Sequence, residues 1–229
     1  MDLYHQKSTS YPQKLVIHLI EIGFLISSYS ILFGSMGHWL SGVFNFQIAT
    51  GFPARRWIIF TFNIITFLRI AYTMFFLIKR RIPWEESIGV PMAFAVYYIG
   101  FAILSLSTAS PINGFTYCGI VLFLTGCILN SGGEFLRAQW KKKPENQGKI
   151  YTRGFFGLSR HINYFGDILW VAGYALVTGN PYSAFIPFLL FCFFAFYNAP
   201  KLDHYLAEKY GQGYTEYAQN TRMLIPFVY

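Results

Sequence analysis

The run Gly154-Phe155-Phe156-Gly157-Leu158-Ser159-Arg160-His161-Ile162-Asn163-Tyr164-Phe165-Gly166-Asp167 gathers five chemically capable side chains just ahead of an apolar stretch: Arg160, His161, Asn163, Tyr164 and Asp167. Polar groups at a membrane boundary are costly unless they pair with one another or hold something polar. This set suits a nucleotide cofactor. Asn163 and Asp167 are four apart, so they share a face if Asn163 opens a helix. There an amide and a carboxylate could grip a carboxamide or ribose hydroxyls; helix capping accounts for one of them equally well. Upstream, Arg137 and Lys141 are also four apart. A cation pair on one face fits a phosphate through charge-assisted hydrogen bonds, and it also fits a topology anchor with snorkelling side chains. Downstream, Lys201, Asp203, Lys209, Tyr210, Tyr214, Tyr217 and Arg222 make an amphiphilic segment. It offers aromatic faces for a base and cations for a phosphate, or else forms a surface helix of alternating charge.

Ionisable residues also fall inside apolar segments. Glu21 and His18 lie in the first, Arg69 in the second, with Tyr72 about one helical turn beyond Arg69. Charges within a membrane segment are functional candidates by default. Tyr72 and Glu21 are the candidate catalytic pair, as proton donor and acid; a Glu21–Arg69 ion pair joining two helices is the structural alternative.

The elements that position these residues are helical and membrane-embedded. The 229 residues are 54% hydrophobic and 12% charged, with mean hydropathy +0.38, against about 25% charged in soluble domains. An all-α, polytopic integral membrane protein follows, with six expected spans near 15–32, 57–78, 88–107, 115–136, 166–177 and 182–197. The last two are short and join at Gly179-Asn180-Pro181, a strong turn signal that makes them a helical hairpin. The segment 34–53 reads as an interfacial or re-entrant loop. No cleavable signal peptide is expected, since a polar start precedes the first apolar stretch without a small-residue cleavage site. Nothing repeats and no linker divides the chain, so one domain is expected, with 1–129 forming the substrate cavity and 130–229 the cofactor-binding half.

The basic segments 79–81 and 137–160 belong in the cytoplasm by the positive-inside rule. Both termini then follow, and the C-terminal helix is cytoplasmic. Arg55 and Arg56 fall on the far side, against the rule. The net charge of +8 is explained by these flanks and by anionic lipid, and nucleic acid is not an expected partner. Cys118, Cys127 and Cys192 sit in apolar segments without metal spacing and read as core residues; no metal is expected. Gly-x-Gly-x-x-Gly, His-Glu-x-x-His and Gly-x-Ser-x-Gly are missing, which removes support for a soluble dinucleotide fold, a zinc protease and an α/β-hydrolase.

The motifs resemble those of the membrane sterol reductases. Arg160-His161-Ile162-Asn163-Tyr164-Phe165-Gly166-Asp167 is similar to the Arg-His-x-Asn-Tyr-x-Gly-Asp signature of the C14-, C7- and C24-reductases, and Gly154-Phe155-Phe156-Gly157 stands where they carry Gly-Trp-Trp-Gly. Lys209-Tyr210-Gly211 with Tyr214 and Tyr217, and the ending Leu224-Ile225-Pro226-Phe227-Val228-Tyr229, extend the likeness. The steroid 5α-reductases share the Asn-x-x-Gly-acid pattern and an Ile-Pro-Phe ending. The resemblance spans about residues 130–229.

It implies NADPH bound on the cytoplasmic side and hydride transfer to a C=C bond of a sterol- or steroid-like substrate within the membrane. The membrane would be the endoplasmic reticulum in a eukaryote or the inner membrane in a bacterium. Arg137 and Lys141 would meet the cofactor phosphates, Asn163 and Asp167 the nicotinamide end, and Tyr210 and Tyr217 the nucleotide. Arg160, His161, Asp203 and Lys209 complete the implied cofactor set. The chain departs from the pattern: the early spans of sterol reductases are missing, and Lys201-Leu202-Asp203 carries its acid one position out of register. The 5α-reductase Gln-Glu pair has no clear match, and Tyr72 only approximates their catalytic tyrosine.

The isoprenylcysteine carboxyl methyltransferases are the competing family, with Arg-His-Pro-x-Tyr-x-Gly followed by Glu-Glu. Here Ile162 replaces the proline and no Glu-Glu precedes Tyr210-Gly211. That reading implies S-adenosylmethionine as cofactor. A non-catalytic lipid-binding relative is the third class.

Overall fold

The computed structural model describes residues 8–49 and 53–229. These fold as helices, with no β-strand among the described residues. In chain order they are α1 (Tyr11–Phe33), α2 (Ser35–Phe44), α3 (Pro53–Leu77), α4 (Trp84–Leu106), α5 (Gly114–Lys141), α6 (Ile162–Thr178), α7 (Pro181–Tyr210) and α8 (Gln212–Asn220). Five of them, α1, α3, α4, α5 and α7, are long and apolar enough to cross a membrane. The remaining expected span is α6, whose 17 residues fall short of the roughly 20 that a straight crossing needs. It begins at Ile162, four residues before the expected start, and so carries Asn163. Part of the expected loop at 34–53 is helical: α2 exposes Trp39, Val43 and Phe44, as a helix lying at a membrane interface does.

Four of the five long helices, all but α1, carry a local widening. Segments with π-type hydrogen bonding run over Thr73–Leu77 in α3, Val96–Gly100 in α4, Ile128–Gly132 in α5 and Phe194–Asn198 in α7. Such bulges are rare and recur at functional sites. Two of these carry residues of the clusters below, Tyr98 and Asn130.

The chain forms two compact units. One takes in the chain up to Ile120 together with Tyr174–Ser183; the other is Val121–Gly173 with Ala184–Tyr229. The first therefore reclaims the end of α6 and the turn after it.

In the first unit α1 packs most heavily on α4, and Ile17, Ile70, Met74 and Ile82 form one buried cluster. The hairpin turn is also here. Gly179 has φ +67°, and a Cβ at that position would come within 2.8 Å of the Arg55 guanidinium, so the turn needs glycine twice over. Arg55 is 2% exposed. It donates to the Val177 carbonyl, to Ser110 O at 3.0 Å and to Pro111 O at 3.2 Å. Arg56 donates to Leu32 O and Ala49 O. Both arginines thus satisfy carbonyls at helix ends and loops, which otherwise lack partners. This explains a basic pair at odds with a charge rule that concerns loops.

The second unit is built on Tyr151, Phe156 and Ile162 in one cluster and Phe194, Ala195 and Leu224 in another.

Candidate active site

In the second unit two glycines set the geometry. A Cβ on Gly126 would lie 2.4 Å from Gly166 O, and one on Gly166 would lie 2.7 Å from the Asn130 backbone nitrogen. The backbones of α5 and α6 therefore touch, as small residues permit between membrane helices. That contact is the physical reason for the glycine between Asn163 and Asp167, and it brings two α5 side chains onto the motif. Asn130 Nδ2 donates to Asp167 Oδ1 at 2.8 Å and to Asn163 O at 3.2 Å. Trp170 Nε1 donates to the same Asp167 oxygen at 2.7 Å. Asn163 Nδ2 donates to Glu134 Oε1 at 3.2 Å, and Glu134 Oε2 pairs with Arg137 at 2.7 Å. A continuous polar ladder results, from Trp170 through Asp167, Asn130, Asn163 and Glu134 to half-exposed Arg137.

Lys141, one turn beyond Arg137, donates to Lys149 O and to the Tyr210 hydroxyl, both at 2.9 Å. Its ammonium stands 5.1 Å from the Tyr210 ring centre, and that of Lys209 stands 5.8 Å from the same ring, within cation–π range. Two ammonium groups from segments far apart in sequence therefore stand about one aromatic ring.

Arg160 and His161 are turned inward. Arg160 binds Asp203 Oδ2 at 2.8 Å, and His161 Nε2 donates to Asp203 Oδ1 at 2.6 Å. Arg160 also donates to the Ala218 and Thr221 carbonyls. The backbone N–H groups of Arg160 and His161 reach Arg222 O and Met223 O. His161, 1% exposed, stacks on Tyr164, which stacks on Phe194 at 4.4 Å. The Tyr217 hydroxyl donates to Phe156 O. Together these contacts latch α8 and the C-terminal segment to the start of α6. Burial alone would lower the Arg160 pKa, but its hydrogen bond and charge pairing with Asp203 outweigh that and hold it above its ordinary value. Burial first, and then neighbouring Asp203, push the Tyr214 phenol up; burial does the same to Tyr217. Both phenols stay protonated at neutral pH.

In the first unit a second set of polar groups is enclosed. Asn63 Nδ2 donates to Ser28 Oγ at 2.6 Å, the Tyr174 hydroxyl donates to Asn63 Oδ1 at 2.8 Å, and Thr66 Oγ1 lies 3.3 Å from Tyr174. Close by in the fold, Glu21 and Tyr98 are each 0% exposed. Neither Glu21 oxygen nor the Tyr98 hydroxyl has a hydrogen-bond partner. Glu21 and Arg69 both lie within electrostatic range of the Tyr98 phenol. Tyr72 sits elsewhere: it is 37% exposed, stacks on Phe76 and lines an open groove with Tyr11, Leu68 and Phe75.

Of the expected residues, the structure thus places Asn163 and Asp167 on one ladder that ends at Arg137. It groups Lys141, Lys209 and Tyr210, and it joins Arg160, His161 and Asp203. Tyr217 lies in the latch, Glu21 in the buried cluster, and Tyr72 at the surface. Residues unnamed in the sequence reading are Asn130 and Glu134 in one unit, and Ser28, Asn63, Thr66, Tyr98 and Tyr174 in the other. Asn63 and Thr66, three apart inside an apolar run, carried the readable signal, since polar side chains rarely sit in spans without cause.

Fold and composition define a helical, polytopic membrane protein with two clusters of polar side chains. A family model described as a protein of unknown function, DUF1295, matches residues 89–221. The chain belongs to that family, which lies within the steroid 5α-reductase superfamily. It is similar to protein-S-isoprenylcysteine O-methyltransferase B of Arabidopsis thaliana, 31% identical over 116 residues, covering 48% of this chain and 58% of that protein. It is likewise similar to 3-oxo-5-alpha-steroid 4-dehydrogenase 1 of Homo sapiens, 31% identical over 111 residues, covering 48% and 41%. A Delta(14)-sterol reductase of Schizosaccharomyces pombe is 32% identical over 85 residues, covering 35% and 20%. The chain thus spans less than two thirds of each of these relatives.

Proposed function

We propose that this protein is a membrane oxidoreductase that uses NADPH to reduce a C=C bond in a lipophilic, sterol- or steroid-like substrate. The observation that carries this reading is the pairing of Lys141 and Lys209 about the Tyr210 ring, with Arg137 one turn away. Cations on an aromatic face suit a phosphate-bearing nucleotide, through charge-assisted hydrogen bonds and stacking. S-adenosylmethionine carries no phosphate, and with one carboxylate and a net positive charge it gains less from such a group.

When bound, NADPH supplies the hydride. Asn163 and Asp167 hold its carboxamide or ribose through groups that the ladder to Asn130 and Glu134 keeps in fixed rotamers. Arg160, His161, Asp203 and Tyr217 act one step removed, by fastening the segment that carries Lys209 and Tyr210. The other substrate carbon needs a proton, and Glu21 provides it. A carboxylate with no hydrogen bond and no solvent would forfeit its solvation, so this group carries its proton. Tyr98 stands beside it as a second donor. Surface-exposed Tyr72 is the other phenol candidate. A positioned acid of this kind contributes about 10²–10⁴ in rate.

The second reading is S-adenosylmethionine-dependent methyl transfer to an isoprenylcysteine-type carboxylate. It is favoured by the methyltransferase from Arabidopsis thaliana, as similar to this chain as the human steroid dehydrogenase. NADPH oxidation by the purified protein, followed with a panel of 3-oxo-4-ene steroids and sterols, tests the first reading. Stoichiometric formation of saturated product supports it. Methyl transfer from S-adenosylmethionine to a farnesylcysteine probe, without NADPH oxidation, replaces it with the second.

A further inference from the structure

Glu21 is an awkward proton donor to use twice. It is fully buried, and after one turnover it needs a proton from water that it does not touch. Building on the reductase reading, we infer that His18 is the relay that returns this proton to Glu21.

The two residues are three apart on α1 and share its buried face, about 4.5 Å apart along the helix axis. His18 is 7% exposed. Its Nδ1 lies 2.7 Å from Lys14 O. A carbonyl only accepts, so Nδ1 bears the hydrogen and Nε2 presents a lone pair. That Nε2 has no hydrogen-bond partner. The Phe75 ring at 4.9 Å and the Phe67 ring at 5.8 Å hold the imidazole in place. A buried imidazole is usually satisfied at both nitrogens. Here it is fixed at one and open at the other, one turn from an acid that also lacks a partner. Imidazole is the side chain best suited to take up and release a proton near neutrality.

The other groups around Glu21 offer no equivalent route. Tyr98 is fully buried and its hydroxyl has no onward partner. Arg69, which lies within electrostatic range of Tyr98, is a guanidinium that stays charged and so passes no proton on. Lys14 directs its ammonium to Ile78 O at 2.9 Å, which leaves its carbonyl to orient His18.

The cycle balances. Glu21 gives its proton to the substrate and becomes a carboxylate. Nε2 is itself buried at rest; water admitted past the exposed 7% of His18 protonates it, forming imidazolium while Nδ1–H stays on Lys14 O. Nε2–H and the Glu21 carboxylate, unbonded at rest, then come together, the proton passes to the carboxylate and the neutral imidazole is restored. One water-derived proton enters per hydride transferred.

The test needs no substrate. The full chain in lipid nanodiscs is moved into D₂O, and the protonated-carboxyl infrared band that disappears in Glu21→Gln is followed as it shifts on deuteration. In His18→Gln the exchange should slow by about a hundredfold, the lower end of what a positioned acid or base contributes, and imidazole added to His18→Ala should recover part of the rate. His18→Asn is the second variant if His18→Gln fails to fold. Equal exchange rates in the wild type and the folded variants would overturn the relay, as would a wild type with no band assignable to Glu21. Slowed exchange in a protein that never oxidises NADPH would keep the relay and remove the reductase reading instead.

Discussion

The polar residues of the two units are kept in opposite ways. Around α1, α3 and α4, Glu21 and Tyr98 are sealed from solvent, His18 keeps 7% of its surface exposed, and all three have unused hydrogen-bonding atoms. In the second unit, Asn130, Glu134, Asn163 and Asp167 bind one another, and their ladder ends at cations open to solvent. An unpartnered buried polar group costs about 1–3 kcal/mol; a ladder of satisfied groups does not. The first arrangement persists against its cost, as sites that exchange a proton with a small group in a dry setting do. The second is a rigid, charged platform suited to a large anionic molecule. On the proposed reading, protons belong to the first unit and cofactor binding to the second.

That contrast can be broken from either side. The largest effect is expected from Glu21→Gln, a neutral near-isostere that should leave unfolding temperature and NADPH affinity unchanged. It should lower turnover by about 10²–10⁴-fold, read from single-turnover NADPH oxidation. Tyr98→Phe should lower turnover more than Tyr72→Phe; the reverse ranking would return the donor role to the surface tyrosine. Next comes Asp203→Ala, which strands the mostly buried Arg160 and His161 without their shared acid. A loss of about 3 kcal/mol is expected from removing one partner of such a pair, seen as a lower melting temperature and easier proteolysis after Asn198. Gly166→Ala should cost about 2 kcal/mol through overpacking, because its methyl meets backbone rather than a movable side chain; differential scanning fluorimetry reads it. The smallest change is Lys141→Ala or Lys209→Ala. Each should weaken NADPH binding about tenfold, as loss of a hydrogen bond to a charged group does, with apo stability within about 0.5 kcal/mol of wild type. The loss should shrink at high salt, since exposed charges are screened.

Much of this architecture was readable from local signals. Apolar length gave α1, α3, α4 and α5, and Gly179-Asn180-Pro181 gave the hairpin, but α7, expected to be short and to end near 197, runs on to Tyr210. The spacing of Asn163 and Asp167 gave a shared face, which α6 provides once it begins at Ile162. What was not readable depends on partners distant in sequence. Asp203 meets Arg160 and His161 across more than forty positions, so these two residues of a motif that looked ready for a ligand are bound up in a latch. Asn130 meets Asp167 only because two glycines let α5 and α6 touch. Tyr98 lay unmarked because a tyrosine in an aromatic-rich span carries no signal until a widened turn and Glu21 are seen beside it. Arg55 and Arg56 broke the charge rule because they satisfy carbonyls rather than face a compartment.

The most direct measurement is ligand-dependent thermal stabilisation of the purified protein by NADPH, NADH and S-adenosylmethionine, with Lys141→Ala/Lys209→Ala in parallel. Selective stabilisation by NADPH, about 2.7 kcal/mol at a hundredfold excess over Kd and largely lost in the double variant, is the predicted result. Stabilisation by S-adenosylmethionine alone, indifferent to both lysines, would contradict the account and make the cation pair a membrane anchor.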